Sequence, residues 1–257
     1  MSALSHHERA LAARIRRLRR PRLLAFDVDG TLAPIVADPA AARVPPAILN
    51  ALRSLSAQGT GVALITGRDA PALRRIANLP DVYRGVEHGA RILAPGERGR
   101  RGEPKHERDR LSTFEDWAEA HAVPYGAELE IKRGSRAIHV RGLQERSPKR
   151  AAAILKAAWA VASETGLEAR RGRAVLEVAV QLGDKATCLG EIAKLTGANR
   201  IFYCGDDVTD IGALRLASQR GVGVFVRSDE RPQKPRNVTA SVRGPHAIHR
   251  ILQELAL

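Results

Sequence analysis

The chain has 257 residues, enough for one large domain or two smaller ones, and 44% of them are hydrophobic and 27% charged. No apolar run is close in length to a membrane-spanning helix, which needs about 18 residues. The N-terminal segment lacks the apolar region of a signal peptide. The two cysteines, Cys188 and Cys204, lie in apolar stretches without metal-site spacing. These features predict a globular cytoplasmic protein without a membrane partner, and we expect it to be a monomer.

The formal net charge is +14, a strong excess of Lys and Arg. Such a surface could bind nucleic acid, or it could attract a small anionic substrate. Aromatic residues make up only 4% of the chain, so few rings are available to stack on bases. We therefore expect a small anionic molecule, and not nucleic acid, as the main partner.

The first part of the sequence alternates apolar strand segments with helical segments. Strands are predicted at 22–26, 61–68 and 82–92, and helices at 44–59 and 69–79. This alternation predicts a parallel sheet with helical crossovers. The pattern changes after a polar segment at 95–110 that is rich in Gly and Pro.

The next part predicts an antiparallel α+β module inserted into the first architecture. Its elements are a helix at 111–122, a hairpin at 127–142, a helix at 147–166 and a hairpin at 167–180. The parallel pattern then resumes, with helices at 184–197, from 211 and at 246–257, and with strands at 199–210 and 221–227. The predicted domains are a basic N-terminal extension at 1–21, a core at 22–108 and 179–257, and a lid-like domain at 109–178.

Polar side chains follow three of the predicted parallel strands, and five of them are carboxylates. They are Asp27 and Asp29, Thr66 and Arg68, and Asp206, Asp207 and Asp210. Ligands of open α/β sheets bind at the carboxyl ends of the strands. Crowded carboxylates stay ionised only with a cation among them, and oxygen ligands suit Mg²⁺. The sequence therefore predicts a divalent-metal site at this edge.

The same residue types are suited to phosphoryl transfer. A carboxylate can attack phosphorus, and a second carboxylate two residues later can act as general acid and base. Lys185 opens a predicted helix where the core resumes and could stabilise the charge of the transferring group. Each motif alone is also typical of an ordinary turn or cap. Only their order and spacing together favour the catalytic interpretation.

Four segments of the chain resemble the motifs of the haloacid dehalogenase superfamily of phosphohydrolases: Asp27–Leu32, Thr66–Arg68, Lys185 and Gly205–Asp210. The resemblance implies a Rossmann-like parallel-sheet core with an α+β cap domain between the second and third motifs. It implies Asp27 as nucleophile, Asp29 as general acid and base, and Thr66 and Lys185 as phosphate contacts. The implied metal residues are Asp27, Asp29 through its backbone carbonyl, Asp206 and Asp207, with Asp210 supporting them.

Four further stretches resemble the trehalose-6-phosphate phosphatase family. They are FDVDGTLAPIVADPAAARVP, EHGARI, IKRGSRAIHVRG and GRAVLEV. The family implies Mg²⁺-dependent hydrolysis of trehalose 6-phosphate through an aspartyl-phosphate, a step of trehalose biosynthesis. The implied substrate-binding residues are Gly67, Arg68 and His88 in the core and Lys132, His139, Arg141 and Glu177 in the cap.

The sequence also departs from this family at three places, and several alternatives stay open. Ile211 replaces the usual Glu, Ala179 and Val180 replace an Arg-Pro pair, and Ala186 replaces a Gly. Taken alone, the cap residues are more typical of solvated charges on hairpins, and Arg68 is equally typical of a salt bridge within the core. The alternative functions are another sugar phosphatase of this fold, of the sucrose-phosphate or mannosylphosphoglycerate type, a nucleic-acid-binding protein and a polynucleotide phosphatase.

Overall fold

The chain folds into two units, one of which is inserted into the other. A computed structural model describes residues 4–98, 105–132, 134–172 and 174–257. One unit comprises Met1–Gly99 and Gly183–Leu257, and the other comprises Arg100–Leu182. The predicted junctions at 108/109 and 178/179 lie inside a helix and a strand of the second unit, and residues 99–104 of the predicted polar boundary lie outside the described residues.

The helices and strands are numbered in chain order across both units. The strands are β1 (Arg22–Phe26), β2 (Gly61–Ile65), β3 (Tyr83–Val86), β4 (Arg91–Leu93), β5 (Glu128–Lys132), β6 (Ser135–His139), β7 (Glu168–Gly172), β8 (Val175–Ala179), β9 (Arg200–Gly205), β10 (Gly221–Arg227) and β11 (Ala240–Arg243). The α-helices are α1 (His6–Arg16), α2 (Pro46–Ala57), α3 (Ala70–Ile76), α4 (Lys105–His121), α5 (Arg141–Arg146), α6 (Pro148–Glu164), α7 (Lys185–Leu195), α8 (Ile211–Arg220) and α9 (Gly244–Ala256).

The first unit is built on a seven-stranded sheet in the order β11-β10-β9-β1-β2-β3-β4. Neighbouring strands are parallel, except that β4 is antiparallel to β3. β1 lies at the centre, and its Ala25 is in register with Ala63 of β2 and Tyr203 of β9. The carboxyl ends of β1, β2 and β9 therefore lie side by side, as the alternation of strands and helices predicted.

Both faces of this sheet are covered, which explains its nearly continuous apolar strands. One face packs against α1, α2, α3 and α9, and the rings of Phe26 and Phe202 contact each other there at a tilted angle. The other face packs against α7 and α8. This three-layer arrangement confirms the predicted α/β core.

The N-terminal segment belongs to this core and is not the separate basic extension that was predicted. Leu11, Ala12 and Ile15 of α1 are buried in the cluster that contains α9. Glu8 accepts hydrogen bonds from Arg250 of α9 at 2.5 and 3.2 Å. The arginines of α1 lie on the exposed side of an amphipathic helix, so the apolar spacing indicates its contact with the core better than the charge does.

The second unit is an α+β module with a four-stranded antiparallel sheet in the order β5-β6-β8-β7. One face of the sheet carries Ile138, Leu176 and Val178, which are buried with apolar residues of α4 and α6. The predicted helices and hairpins of this segment are confirmed, whereas α5 was not predicted. Ser147 directly precedes α6, but its side chain makes no capping hydrogen bond.

None of the helices in the described ranges combines the length and the apolar composition that crossing a membrane requires.

Candidate active site

Three strand ends of the first unit line one cavity of about 420 Å³. Asp27 follows β1, Thr66 follows β2, and Asp206 follows β9. The lining residues are Asp27, Asp29, Ile35, Val36, Ala42, Thr66, Gly67, Arg68, His88, Lys185, Asp206, Asp207, Thr209 and Arg231. The cavity thus brings together most of the core residues that the sequence nominated, and it adds Ile35, Val36, Ala42, Thr209 and Arg231.

Asp27 is buried at the floor of this cavity and is held from three sides. Its backbone N–H donates to the Cys204 carbonyl at 2.9 Å, which extends the β1–β9 pairing by one residue. Its Oδ1 accepts from Lys185 Nζ at 2.7 Å, and its Oδ2 accepts from Thr31 Oγ1 at 3.4 Å. Burial raises the pKa of Asp27 well above its usual value, although the Lys185 ammonium opposes the shift. An ionised Asp27 therefore needs positive charge beside it.

Lys185 supplies positive charge at this point. It is the first residue of α7, whose N-terminus is capped by Asp184 through the Thr187 N–H. Its Nζ lies 2.7 Å from Asp27 Oδ1 and 2.8 Å from Asp210 Oδ1. Burial alone would lower the pKa of Lys185, but the two carboxylates outweigh it and raise that pKa. Lys185 is therefore charged and bridges two buried anions.

Asp210 is completely buried and is engaged at both oxygens. Oδ1 accepts from Lys185 Nζ and also from the Tyr203 hydroxyl, at 2.6 Å. Oδ2 accepts from the Asp207 backbone N–H at 2.9 Å. Tyr203 was not among the residues nominated from the sequence. Its phenol lies in the buried part of β9, two residues before the Gly-Asp-Asp motif, and a buried phenol needs a hydrogen-bond partner.

Three carboxylates form a group that could hold a metal ion. One oxygen each from Asp27, Asp206 and Asp210 lies within 4.8 Å of the others. Burial raises the pKa of Asp206 to about 6, and the charges of Asp210 and Asp207 add to the shift. Oxygen donors with this much unneutralised charge fit a hard divalent cation.

Gly30 allows this group to form. Its φ is +76°, and a Cβ built there would lie 2.2 Å from Asp206 Oδ2. Only glycine permits the backbone of the Asp27–Leu32 turn to approach the Asp206 carboxylate so closely.

Asp207 was predicted as a metal residue, but its carboxylate has other partners. It accepts from the Val208 N–H as the cap of a short 3-10 helix, Val208–Asp210. It also forms an ion pair with Arg231, which lies in the loop after β10. In the part of the chain that the structure describes, the three-carboxylate group contains Asp210 in place of Asp207.

Asp29 and Arg68 form a bidentate ion pair. Arg68 Nε and Nη2 each donate to a different oxygen of Asp29 at 2.7 Å. The hydrogen bonds that Arg68 donates to Asp29 raise the pKa of Arg68. Of the two interpretations of Arg68, the salt bridge within the core is the one present here, and the same side chain also lines the cavity.

The remaining core residues form the wall next to Arg68. Thr66 is buried, and its Oγ1 accepts from the Arg68 backbone N–H at 3.2 Å. A Cβ on Gly67 would lie 2.5 Å from the His88 ring, so glycine is needed for the ring to approach the backbone this closely. His88 itself has φ of +58° in a tight turn.

The second unit carries the four residues nominated for sugar contact. Lys132 and His139 both contact Glu130, at 3.2 and 3.0 Å. Glu177 accepts a long hydrogen bond of 3.5 Å from Ser135. Strand register puts these side chains on the face of the sheet opposite the apolar face. Arg141 is the first residue of α5 and is not on a strand.

Glu130 was not nominated, although two of the nominated residues contact it. Burial acts to raise the pKa of Glu130, but the hydrogen bonds from His139 and Lys132 outweigh it and lower that pKa. Its sequence signal is only an alternating charge on a hairpin strand, which is why it could not be distinguished from a solvated residue.

A sequence profile of the trehalose-phosphatase family matches residues 25–246. The chain belongs to this family. An uncharacterized glycosyl hydrolase of Mycobacterium tuberculosis is 30% identical over 93% of this chain and 18% of its own length. The trehalose-phosphate phosphatase of Mycobacterium ulcerans is 29% identical over 90% of this chain and 60% of its own length. The chain thus spans less than two thirds of either of these curated relatives.

Solved structures of trehalose-6-phosphate phosphatases share the fold. That of the Aspergillus fumigatus protein superimposes with a TM-score of 0.72 at 24% identity and covers 99% of both chains. The α/β architecture that the haloacid dehalogenase resemblance implied is therefore confirmed for this trehalose-phosphatase family member.

Proposed function

We propose that the protein hydrolyses trehalose 6-phosphate to trehalose and phosphate. The observation that carries this proposal is the buried ion pair between Asp27 Oδ1 and Lys185 Nζ, 2.7 Å apart, at the end of the central strand. The pair supplies a nucleophilic carboxylate beside a fixed cation in a cavity of about 420 Å³. Membership of the trehalose-phosphatase family supports trehalose 6-phosphate as the substrate.

In the first step, an Asp27 oxygen forms a bond to phosphorus, and the bond between phosphorus and the sugar oxygen breaks. Asp29 donates a proton to the departing sugar oxygen. In the second step, Asp29 takes a proton from water, and the water oxygen attacks phosphorus and releases Asp27. Both oxygens of Asp29 accept hydrogen bonds from Arg68, and protonation of either oxygen would weaken its bond to the guanidinium. The phosphate oxygens of a bound substrate would compete with Asp29 for the Arg68 guanidinium.

The proposed cofactor is Mg²⁺. Its support is the three-carboxylate group of Asp27, Asp206 and Asp210, together with oxygen-only donor chemistry. Bound there, a divalent cation would neutralise charge on the phosphoryl oxygens. Asp27 and Asp206 are the side chains proposed to hold it, with the Asp29 backbone carbonyl. Asp207 stays a proposed metal residue only if its contact with Arg231 is released.

The second unit is proposed to act as the cap domain and to provide the sugar contacts. Lys132, His139 and Glu177 lie on one polar sheet face, and Arg141 follows at the end of β6. Such a face offers both donors and acceptors, which sugar hydroxyls need. Gly67 and His88 are proposed to contact the phosphate side of the substrate, since both line the core cavity.

The test is phosphate release from trehalose 6-phosphate with and without Mg²⁺. Glucose 6-phosphate, sucrose 6-phosphate and a 3′-phosphorylated oligonucleotide are compared at equal concentration, and Asp27→Asn is the matched inactive control. We expect strong preference for trehalose 6-phosphate, abolished by EDTA and by the substitution. Metal-dependent release from another compound would keep the chemistry and reject the substrate. Release from Asp27→Asn at the wild-type rate would reject the mechanism.

A further inference from the structure

The hydroxyl of Tyr203 makes a hydrogen bond that the proposed mechanism does not use. Tyr203 is wholly buried in the core layer between the sheet and α7 and α8. A phenol in such a layer loses its hydration, and this loss is offset only by a partner. The partner is Asp210 Oδ1, at 2.6 Å.

Asp210 has two possible uses for the same oxygens. Its carboxylate belongs to the three-carboxylate group that could hold a metal, and it also binds Lys185 Nζ at 2.8 Å. The two uses compete, because an oxygen that accepts from both an ammonium and a phenol has little capacity left for a cation.

The backbone restricts Asp210 as well. A Cβ on Gly205 would lie 2.3 Å from Asp210 Cγ, so the backbone at the end of β9 lies directly against the carboxylate. The Asp207 N–H binds Oδ2 on the other side. The carboxylate is therefore held on several sides, and turning Oδ1 toward a cation would break its bonds to Lys185 and Tyr203.

We propose that Tyr203 is a positioning residue that fixes Asp210 against Lys185, so that Lys185 stays on Asp27 and Asp210 stays out of the metal's ligand set. Tyr203 does not itself touch substrate: among the described residues, those that line the cavity include Asp27 and Lys185 but not Tyr203. The consequence for turnover rests on the proposed phosphatase function. The consequence for metal binding does not.

The main test is Tyr203→Phe, which removes one hydroxyl and conserves the ring. We expect kcat to fall about tenfold, the size expected for a lost hydrogen bond to a charged group, with KM for the sugar phosphate nearly unchanged. We also expect the free protein to bind Mg²⁺ alone about threefold or more tightly by calorimetry, because Asp210 gains freedom to act as a ligand. Tyr83→Phe, at a half-buried tyrosine packed against the same core layer, is the matched control.

A double-mutant cycle with Asp210→Asn separates positioning from general loss of stability. An amide holds Lys185 and a metal ion weakly, so Tyr203→Phe added to Asp210→Asn should change kcat and Mg²⁺ affinity by less than about twofold. Full additivity of the two substitutions would overturn the proposal. So would a Tyr203→Phe protein that differs from Tyr83→Phe only in its melting temperature.

A measurement on the unsubstituted chain covers the case in which Tyr203→Phe does not fold. The chain has three tyrosines, so tyrosine labelled with ¹³C at Cζ gives three resonances. We expect the Tyr203 resonance to stay constant during titration with Mg²⁺, because its bond to Asp210 persists. A shift toward the value of an unbonded phenol would overturn the proposal. Both this titration and the calorimetry need no substrate, so they remain decisive if no phosphate ester is hydrolysed.

Discussion

The two units each contain a lysine in an ion pair with a carboxylate, and burial separates the roles of these two lysines. Lys185 is 4% exposed and bridges Asp27 and Asp210, which are 6% and 0% exposed. Lys132 and its partner Glu130 are 47% and 45% exposed. Water screens the exposed pair, so Lys132 or Glu130 can stay charged without its partner. In the buried network, removing one partner leaves an uncompensated charge that water cannot solvate. The buried network is therefore suited to hold reacting groups, and the exposed one to exchange its contacts for a ligand.

The largest expected difference between the two units comes from replacing each lysine by methionine. Lys185→Met leaves two buried carboxylates facing each other without a cation, so we expect a loss of about 3–5 kcal/mol in the free energy of unfolding. Lys132→Met should change it by about 1 kcal/mol or less. Urea denaturation of both variants measures the difference. Equal losses would contradict the contrast between the units.

The effect of Lys185→Met on catalysis should be still larger. Without its ammonium, Asp27 has no fixed positive charge beside it, so we expect phosphate release to fall by about a thousandfold or more. Lys132→Met should act through KM, since its proposed contact is to the sugar.

A second prediction uses two glycines with nearly the same backbone conformation. Gly30 has φ of +76° and Gly96 has φ of +80°, but only Gly30 faces a close neighbour, Asp206. Gly96→Ala should therefore cost about 1 kcal/mol of stability and leave metal binding unchanged. Gly30→Ala must also displace the Asp206 carboxylate, so we expect Mg²⁺ affinity to fall about tenfold or more. Calorimetry on both variants tests this, and equal affinities would show that the Gly30 approach does not shape the group.

The sequence predicted the location of the site better than its internal contacts. Asp27, Thr66 and Asp206 were predicted together because the carboxyl ends of neighbouring parallel strands meet at one edge, and β1, β2 and β9 are neighbours. That rule depends only on strand order and needs no side-chain detail.

Contacts between side chains were harder to predict, for two physical reasons. Tyr203 lies in a strand buried on both faces, where periodicity cannot separate a packing residue from a positioning one. Arg231 reaches Asp207 from a loop far along the chain, and no local pattern encodes that contact. The buried face of α1 was missed because the segment was interpreted from its dense basic run at 14–22 and not from the apolar spacing within the helix.

The third prediction concerns pH and the metal-free core. Burial raises the pKa of Asp206 from 3.8 to about 6, so the folded state binds a proton that the unfolded state has released. This contribution to stability is complete below about pH 4 and is lost as the pH rises through about 6. We expect the melting temperature of the EDTA-treated protein to show this loss relative to Asp206→Asn, and added Mg²⁺ to remove it. A difference between the two proteins that does not vary over this range would contradict the assignment.

The smallest expected effect is in the second unit, at Glu130→Gln. The substitution removes the anion shared by Lys132 and His139, whose contacts are half exposed, so the free energy of unfolding should change by about 1 kcal/mol or less. Glu128→Gln, on the same strand and face, is the matched control because it removes an equal charge. If Lys132 and His139 bind the sugar, losing the residue that orients them should raise KM for trehalose 6-phosphate a few-fold at unchanged kcat, and Glu128→Gln should not. A change in kcat without a change in KM would instead connect this polar face to the chemical step. It would contradict the proposed division between a buried network that reacts and an exposed face that binds the sugar.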